Sequence, residues 1–331
     1  MPQKGLFTQG VALLCSVVPS LDALAAALPD WQVLARPPAA EYWALSGPAL
    51  VYAFPRPPNG TEGAPPAAPG PGRLIIDVLD RPWPDEMGDP KTDPPLFMAW
   101  GSGQFGPFAW PHSLARATEL GWFLKDAATI VPTHTAFVRM RITYATRPEP
   151  DAPLFPDDYK PLDEIWALAE VVAKLFELPG VLCYFNPNGE LLMAKEPFRA
   201  KLAYDREQQI LPADLFCNVR IVSRPGNLLL VDTVGLDQFD LSDQEAVFPR
   251  GQVPLDEAAN FLFNVAHFLN EKGEVIRNAN TMNSSEKIRW TVRHMKESLV
   301  APPRETMRWL PVAWQNPPVG AIDPAQIDLD G

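Results

Sequence analysis

The sequence is poor in the residues that most often carry chemistry. Its 331 residues include only 4 histidines and 3 cysteines. His112, His134, His267 and His294 are isolated, and none has a partner at the spacing of an HExxH or CxxC metal motif. Cys15, Cys183 and Cys217 are odd in number and widely spaced. That excludes the disulfide framework of a small secreted fold and fits the reduced thiols of a cytoplasmic protein. Cys183 and Cys217 also sit inside apolar strand runs, where a thiol is inert. There is no GxSxG elbow and no Walker A loop. Nor does any stretch approach the roughly 18 uncharged apolar residues of a membrane span. Lys4 and the apolar run from Val11 to Val18 imitate a secretory signal, but the run is short and Leu14, before Cys15, is large; a buried strand is expected instead. These deficits point to a non-enzymatic protein with no cofactor and no metal.

Positive charge is also in deficit, with 28 Lys and Arg against 40 Asp and Glu for a net charge of −12. Nucleic acid and anionic membrane repel such a chain, so the expected partner is a basic protein. What is abundant is proline, 39 residues, more than twice the usual share of about 5%. With 47% apolar and 10% aromatic residues the chain folds nonetheless. Much of the excess proline lies in Pro55–Gly72, in other loops and in the tail; Pro55–Gly72, PRPPNGTEGAPPAAPGPG, reads as a surface loop inserted in an α+β domain over 1–310, and residues 311–331 read as a C-terminal tail.

Strand signals occur at Val11–Val18, Trp31–Ala35, Ala49–Phe54, Leu74–Leu79, Leu96–Trp100, Asn218–Val222 and Leu228–Thr233. Thr135–Ala145 alternates apolar residues with Arg139, Arg141 and Thr143, which predicts a strand with one wet face. Asn186-Pro187-Asn188-Gly189 predicts a hairpin turn between Val181–Phe185 and Glu190–Ala194. Helices are expected from Leu21 to Leu28 behind Ser20, from Ser113 to about Ala127, from Pro161 to Phe176, from Pro254 to Gly273, and over Ser284–Leu299 behind a capping-box-like Asn283 and Glu286. In the Pro161 helix, Asp163 and Glu164 complement the dipole. Strands and helices mix without regular βαβ alternation. The fold class is therefore α+β, a mixed, mainly antiparallel sheet packed with several helices.

Two constellations suggest binding. Gly101-Ser102-Gly103-Gln104-Phe105-Gly106 spells GxGxxG, but Pro107 and Pro111 postpone any helix, so a phosphate site is not expected. Its aromatics Trp100, Phe105, Phe108 and Trp110 either pack locally or form a partner-binding patch. Asp232, Asp237, Asp240, Asp243 and Glu245 lie where no Lys or Arg occurs between Arg224 and Arg250. They read as an acidic surface for a basic partner, countered by a basic last helix with Lys287, Arg289, Arg293, Lys296, Arg304 and Arg308.

The order of these segments resembles the bacterial family known as domain of unknown function 4261. The likeness is carried by GVALLCSVVPSLDALAAAL, GPFAWPHSLARATELGWFLKDA leading to HTAFVRMRITYA, PLDEIWALAEVVAKLFELPGVLCYF, DTVGLDQFDLSDQEAVF, and AANFLFNVAHFLNEKGEVIRNANTM. Where that family tends to have a glycine-containing turn, this chain has Asn278-Ala279-Asn280-Thr281. The resemblance brings no catalytic residues. It implies an arrangement similar to suppressor-of-fused-like α+β proteins, and a cytoplasmic immunity protein that neutralises a secreted toxin, a type VI secretion nuclease effector. An effector adaptor or chaperone is the alternative, and an enzyme with an unrecognised site a third.

Overall fold

Short runs of β-branched and aromatic residues pair into two sheets, and the chain divides into two units, Gln3–Phe216 and Cys217–Gly331. The computed structural model describes residues 4–55, 71–146, 154–314, 317–318 and 320–328. Most of the proline-rich segment, 56–70, lies outside the described residues.

The first unit runs β1 (Gln9–Cys15), α1 (Leu21–Ala27), β2 (Val33–Ala35), β3 (Ala49–Phe54), β4 (Gly72–Leu79), α2 (Pro94–Gly101), α3 (Ser113–Leu120), α4 (Ala127–Ile130) and β5 (Ala136–Thr143). It continues through α5 (Pro161–Leu175), β6 (Val181–Asn186), β7 (Leu191–Met193), α6 (Lys195–Gln208) and α7 (Ala213–Phe216). Its strands form one antiparallel sheet in the order β2-β3-β4-β5-β1-β6-β7. On one face Ala12, Leu14, Leu79, Phe137, Cys183 and Phe185 pack with residues of α2, α3 and α4. On the other, α5 packs on β1 and Phe198 of α6 meets Tyr184 of β6, ring centroids 4.9 Å apart.

The wet face expected on β5 does not exist, because β5 is the central strand and all eight of its residues are buried. The register sets Asp77 of β4 directly opposite Arg139. Asp77 takes Nη2 of Arg139 at 2.7 Å and Nη2 of Arg141 at 3.3 Å, while the backbone carbonyls of Ala44 and Gln104 accept from Arg139. Burial pushes the Asp77 carboxyl up, but Arg139 and Arg141 outweigh it and hold it below its usual range.

The second unit comprises β8 (Asn218–Arg224), β9 (Leu228–Val234), β10 (Asp243–Pro249), α8 (Leu255–Lys272), β11 (Thr281–Asn283), β12 (Arg289–Met295) and β13 (Thr306–Pro311). The sheet order is β11-β12-β13-β10-β9-β8, with only the β10 and β13 pair parallel. Helix α8 packs on β9 and β10, and its Phe261 stacks on Trp290 at 5.2 Å. The α+β class holds, with the strands divided between two sheets. No helix among the described residues is long and apolar enough to cross a membrane.

Three expected elements differ. Leu96–Trp100 is helical: Asp93 Oδ1 accepts the Leu96 N–H at 3.3 Å, and Pro94 and Pro95 fill a first turn that has no use for their missing donors. The helix from Ser113 ends at Leu120, before Gly121 in extended backbone. The expected helix over Ser284–Leu299 is instead the hairpin partner β12, where Trp290 and Val292 alternate with Arg289, Thr291 and Arg293 and are buried at period 2. The basic segment is therefore a strand.

Candidate functional site

The five acidic residues expected on a surface lie mostly inside the second unit. Antiparallel and parallel registers align Arg220, Asp232, Glu245, Arg308 and Arg293 in one row across β8, β9, β10, β13 and β12. Asp232 is clamped by Arg220, Nη2 at 2.5 Å and Nε at 3.1 Å, and by Nη2 of Arg304 at 2.6 Å. Arg304 also reaches Asp243 at 3.0 Å, and Arg308 pairs with Glu245 at 2.8 Å. The segment before β13 closes over the row: the Leu299 N–H donates to Glu245 Oε1 at 2.7 Å, and the carbonyls of Glu297, Val300, Ala301 and Pro302 accept from Arg308, Arg304 and Arg220.

Asp232, Asp243 and Glu245 are consequently fully buried and neutralised. A partner meets none of them, and the acidic surface is corrected to a buried charge network. Asp237 and Asp240 are half-buried in the turn after β9. Burial, then the charge of Asp243, pushes the Asp237 carboxyl well up, against Arg304. Asp240 ends that turn in the left-handed region at φ 58°.

The aromatic loop divides. Trp100 and Phe105 are buried around Trp83, whose ring also meets Phe137 at 5.1 Å and Phe185 at 5.0 Å. They are core, not a patch. The glycines serve the same packing: a Cβ on Gly106, at φ 135°, would lie 2.4 Å from Asn188 Oδ1, and one on Gly10 would lie 2.8 Å from Gly106 Cα. Asn188 in turn donates to the Gly10 carbonyl at 2.6 Å and accepts from the Phe108 N–H at 3.0 Å.

Trp110 alone of the named aromatics is exposed, at 45%. It precedes α3, and Trp122, 57% exposed, follows that helix. The sequence reading passed over Trp122; its place just beyond Gly121, after a helix, was the available signal. Helix α3 is held firmly. Asp85 accepts the Leu114 and Ala115 N–H groups at 2.7 and 2.8 Å, and Arg116 pairs with buried Glu190 at 2.6 Å. Leu114 and Ala117 face the core while His112, Ala115 and Glu119 face solvent.

The other nucleophiles and ligands are structural. Burial pushes the Cys15 and Cys183 thiols up to about 12 and Cys217 well up. His134 Nε2 accepts the Trp83 N–H at 2.8 Å while Nδ1 meets the Val131 carbonyl, so the ring sits as a neutral tautomer in the backbone. Among the described residues no group of three or more His, Cys, Asp or Glu could hold a metal ion.

Two carboxyl groups escaped the sequence reading. Glu164, read only as complementing the dipole at a helix start, is fully buried. Asp205 is buried beside Asp214 and Lys201 and is pushed up to about 7 by burial and by the Asp214 charge. Neither burial is marked in the sequence, since Glu164 meets Thr8 from far along the chain and Asp205 is enclosed where α6 and α7 meet.

Residues 232–310 match the model of a family described as Domain of unknown function (DUF4261). No curated protein and no solved structure matches the chain. The matched segment begins at Asp232 and takes in every member of the charge network except Arg220.

Proposed function

We propose that this chain is a non-enzymatic protein-binding protein, a cytoplasmic immunity factor that neutralises a secreted toxin by direct contact, with a type VI nuclease effector as the toxin. The observation that carries this reading is the pair of exposed indoles, Trp110 and Trp122, displayed at the two ends of the braced helix α3. Exposed aromatics on a rigid frame are the common anchors of tight interfaces, because they bury area with little ordering cost. The segments around them carry exposed Glu86, Asp89, Glu119 and Asp126 against Lys91 and Lys125. Such a surface suits a protein whose own active groove is cationic, as a nuclease's is.

The test is co-expression with the toxin encoded by the neighbouring gene, followed by calorimetry on the purified pair. Protection of the cell is expected, together with a loss of affinity of about 100-fold or more in the Trp110→Ala, Trp122→Ala double variant. A chain that fails to protect sinks the immunity reading. Protection with unchanged affinity in the double variant moves the interface elsewhere.

The exposed Met98, 62% accessible, on α2 just ahead of the aromatic loop in the chain, favours a second reading, an effector adaptor that holds an apolar segment. That binding would be insensitive to salt, whereas toxin neutralisation through the acidic surround weakens with it.

A further inference from the structure

The second sheet has one face under α8 and the other under the segment that follows β13. Phe248 of β10 and Trp309 of β13 lie on the α8 side, meeting Trp290 and Phe261. Side chains alternate along a strand, so their neighbours Val247 and Leu310 point the opposite way. There they cluster with Leu230 and Ala321, and Ile322 packs against the cluster. Ala321 and Ile322 belong to the segment that the sequence presents as a tail.

The same segment fills part of the edge of β12. Strand β11 pairs with β12 only from Arg289 to Thr291, and Ala279 and Asn280 carry the pairing on to Val292. From His294 onward residues 326–328 take that place. The Asp328 N–H donates to the His294 carbonyl and the Lys296 N–H to the Gln326 carbonyl, each at 2.8 Å, with Ile327 antiparallel to Met295. Asn278 splices the two stretches: its side chain accepts the His294 N–H at 2.8 Å and donates to the Asp328 carbonyl at 2.6 Å. The turn Asn278-Ala279-Asn280-Thr281 thus sets where β11 stops and the tail begins.

Charge favours this occupant. From Pro311 to Gly331 the chain has Asp323, Asp328 and Asp330 and no Lys or Arg. From Arg289 to Lys296 it has Arg289, Arg293 and Lys296 and no acid. Arg289 donates to Thr281 Oγ1 and Arg293 to the Val292 carbonyl, and among the described residues neither these two nor Lys296 forms an ion pair. In a chain of net charge −12 this strand therefore attracts an acidic segment. Hydrogen bonds along a strand edge are made to backbone, so another extended segment of that charge fits the same place.

We propose that the edge of β12 and the apolar face around Leu310 are a binding site for an extended acidic peptide, kept filled at rest by the chain's own residues 320–328. A partner carrying an acidic segment with apolar anchors adds a strand at β12 and displaces the tail. The site belongs to the second unit, whereas Trp110 and Trp122 belong to the first. Its failure leaves the immunity reading standing.

The test uses the full chain with a protease site in place of Gln315 and Asn316, cut after folding, and a fluorescent peptide of residues 317–331. The cut chain is expected to release its tail on gel filtration at about 0.5 M salt, to keep its near-ultraviolet circular dichroism, and then to bind the peptide at low salt. N-methylation of the peptide at the Asp328 amide, which removes the donor to His294, is expected to weaken binding about tenfold. Reversing the peptide's charge with Asp323→Lys and Asp328→Lys weakens it by a similar factor, about tenfold. The uncut chain binds the peptide on the order of 100-fold more weakly, because its tethered tail competes at high effective concentration. A cut tail that neither leaves nor exchanges with the peptide, or a chain that loses its fold on releasing it, makes residues 320–328 a fixed part of the core and overturns the proposal. So does binding indifferent to N-methylation or to charge reversal, and so does an uncut chain that elutes as a dimer, which places the tail on a second copy.

Discussion

At the scale of single residues, the acidic side chains divide by what surrounds them, not by their type. Asp232 sits in a bidentate fork from Arg220 with a second guanidinium from Arg304. Removing it takes an acid away from two buried guanidiniums, of which Arg304 keeps Asp243, a loss of about 3–5 kcal/mol. Asp232→Ala is therefore expected to shift the urea midpoint strongly downward, and a shift under about 1 kcal/mol would contradict the network's burial. Asp205 is the opposite case. Its folded value stands above its unfolded one, so the stability it contributes is complete below about pH 4 and is lost as pH rises through about 7. Asp205→Asn cannot ionise. It should be more stable than wild type at pH 8 and equal to it at pH 4, as read by denaturant titration at the two pH values. Neither behaviour could be inferred from the sequence, where both residues are merely two of 40 acids.

At the scale of elements, local signals were legible wherever the chain's own chemistry set them. Ser20 caps α1 through the Ala23 N–H at 3.1 Å, Pro161 opens α5, and Asn186 accepts the Asn188 and Gly189 N–H groups in the hairpin turn. The errors fell on segments whose neighbours outvoted a local hint. Asn283 and Glu286 spell a capping box, but Trp290 and Val292 bury at strand spacing, Trp290 against Phe261 of α8, and that burial is worth far more than a cap. GxGxxG spells a phosphate loop that Pro107 and Pro111 already argue against, and its last glycine serves contact with Gly10 and Asn188. Gly106→Ala should accordingly lower stability by roughly 1–3 kcal/mol, through both its φ of 135° and the clash at 2.4 Å. Gly101→Ala, with nothing within 4 Å, should be nearly neutral, and equal effects of the two on the thermal midpoint would refute the packing role.

At the scale of the whole molecule, the charge of −12 survives the internal pairing, because the buried networks match three arginines with three acids in the second unit and two arginines with one acid in the first. The excess negative charge is carried by the remaining residues. Association with a cationic protein should therefore slow as salt rises, and stopped-flow rates between about 50 and 300 mM salt measure it; a rate indifferent to salt would remove charge from the recognition. By itself the sequence determined the α+β class, the inert thiols and the sign of the surface field, since each follows from composition, short-range spacing or total charge. Only the tertiary structure decided which acids are surface and which are core, that Trp110 is exposed while Trp100 and Phe105 are not, and that Glu164 is enclosed. Those outcomes depend on strand register and on helices laid over sheets, which bring together residues more than a hundred positions apart, such as Thr8 and Glu164.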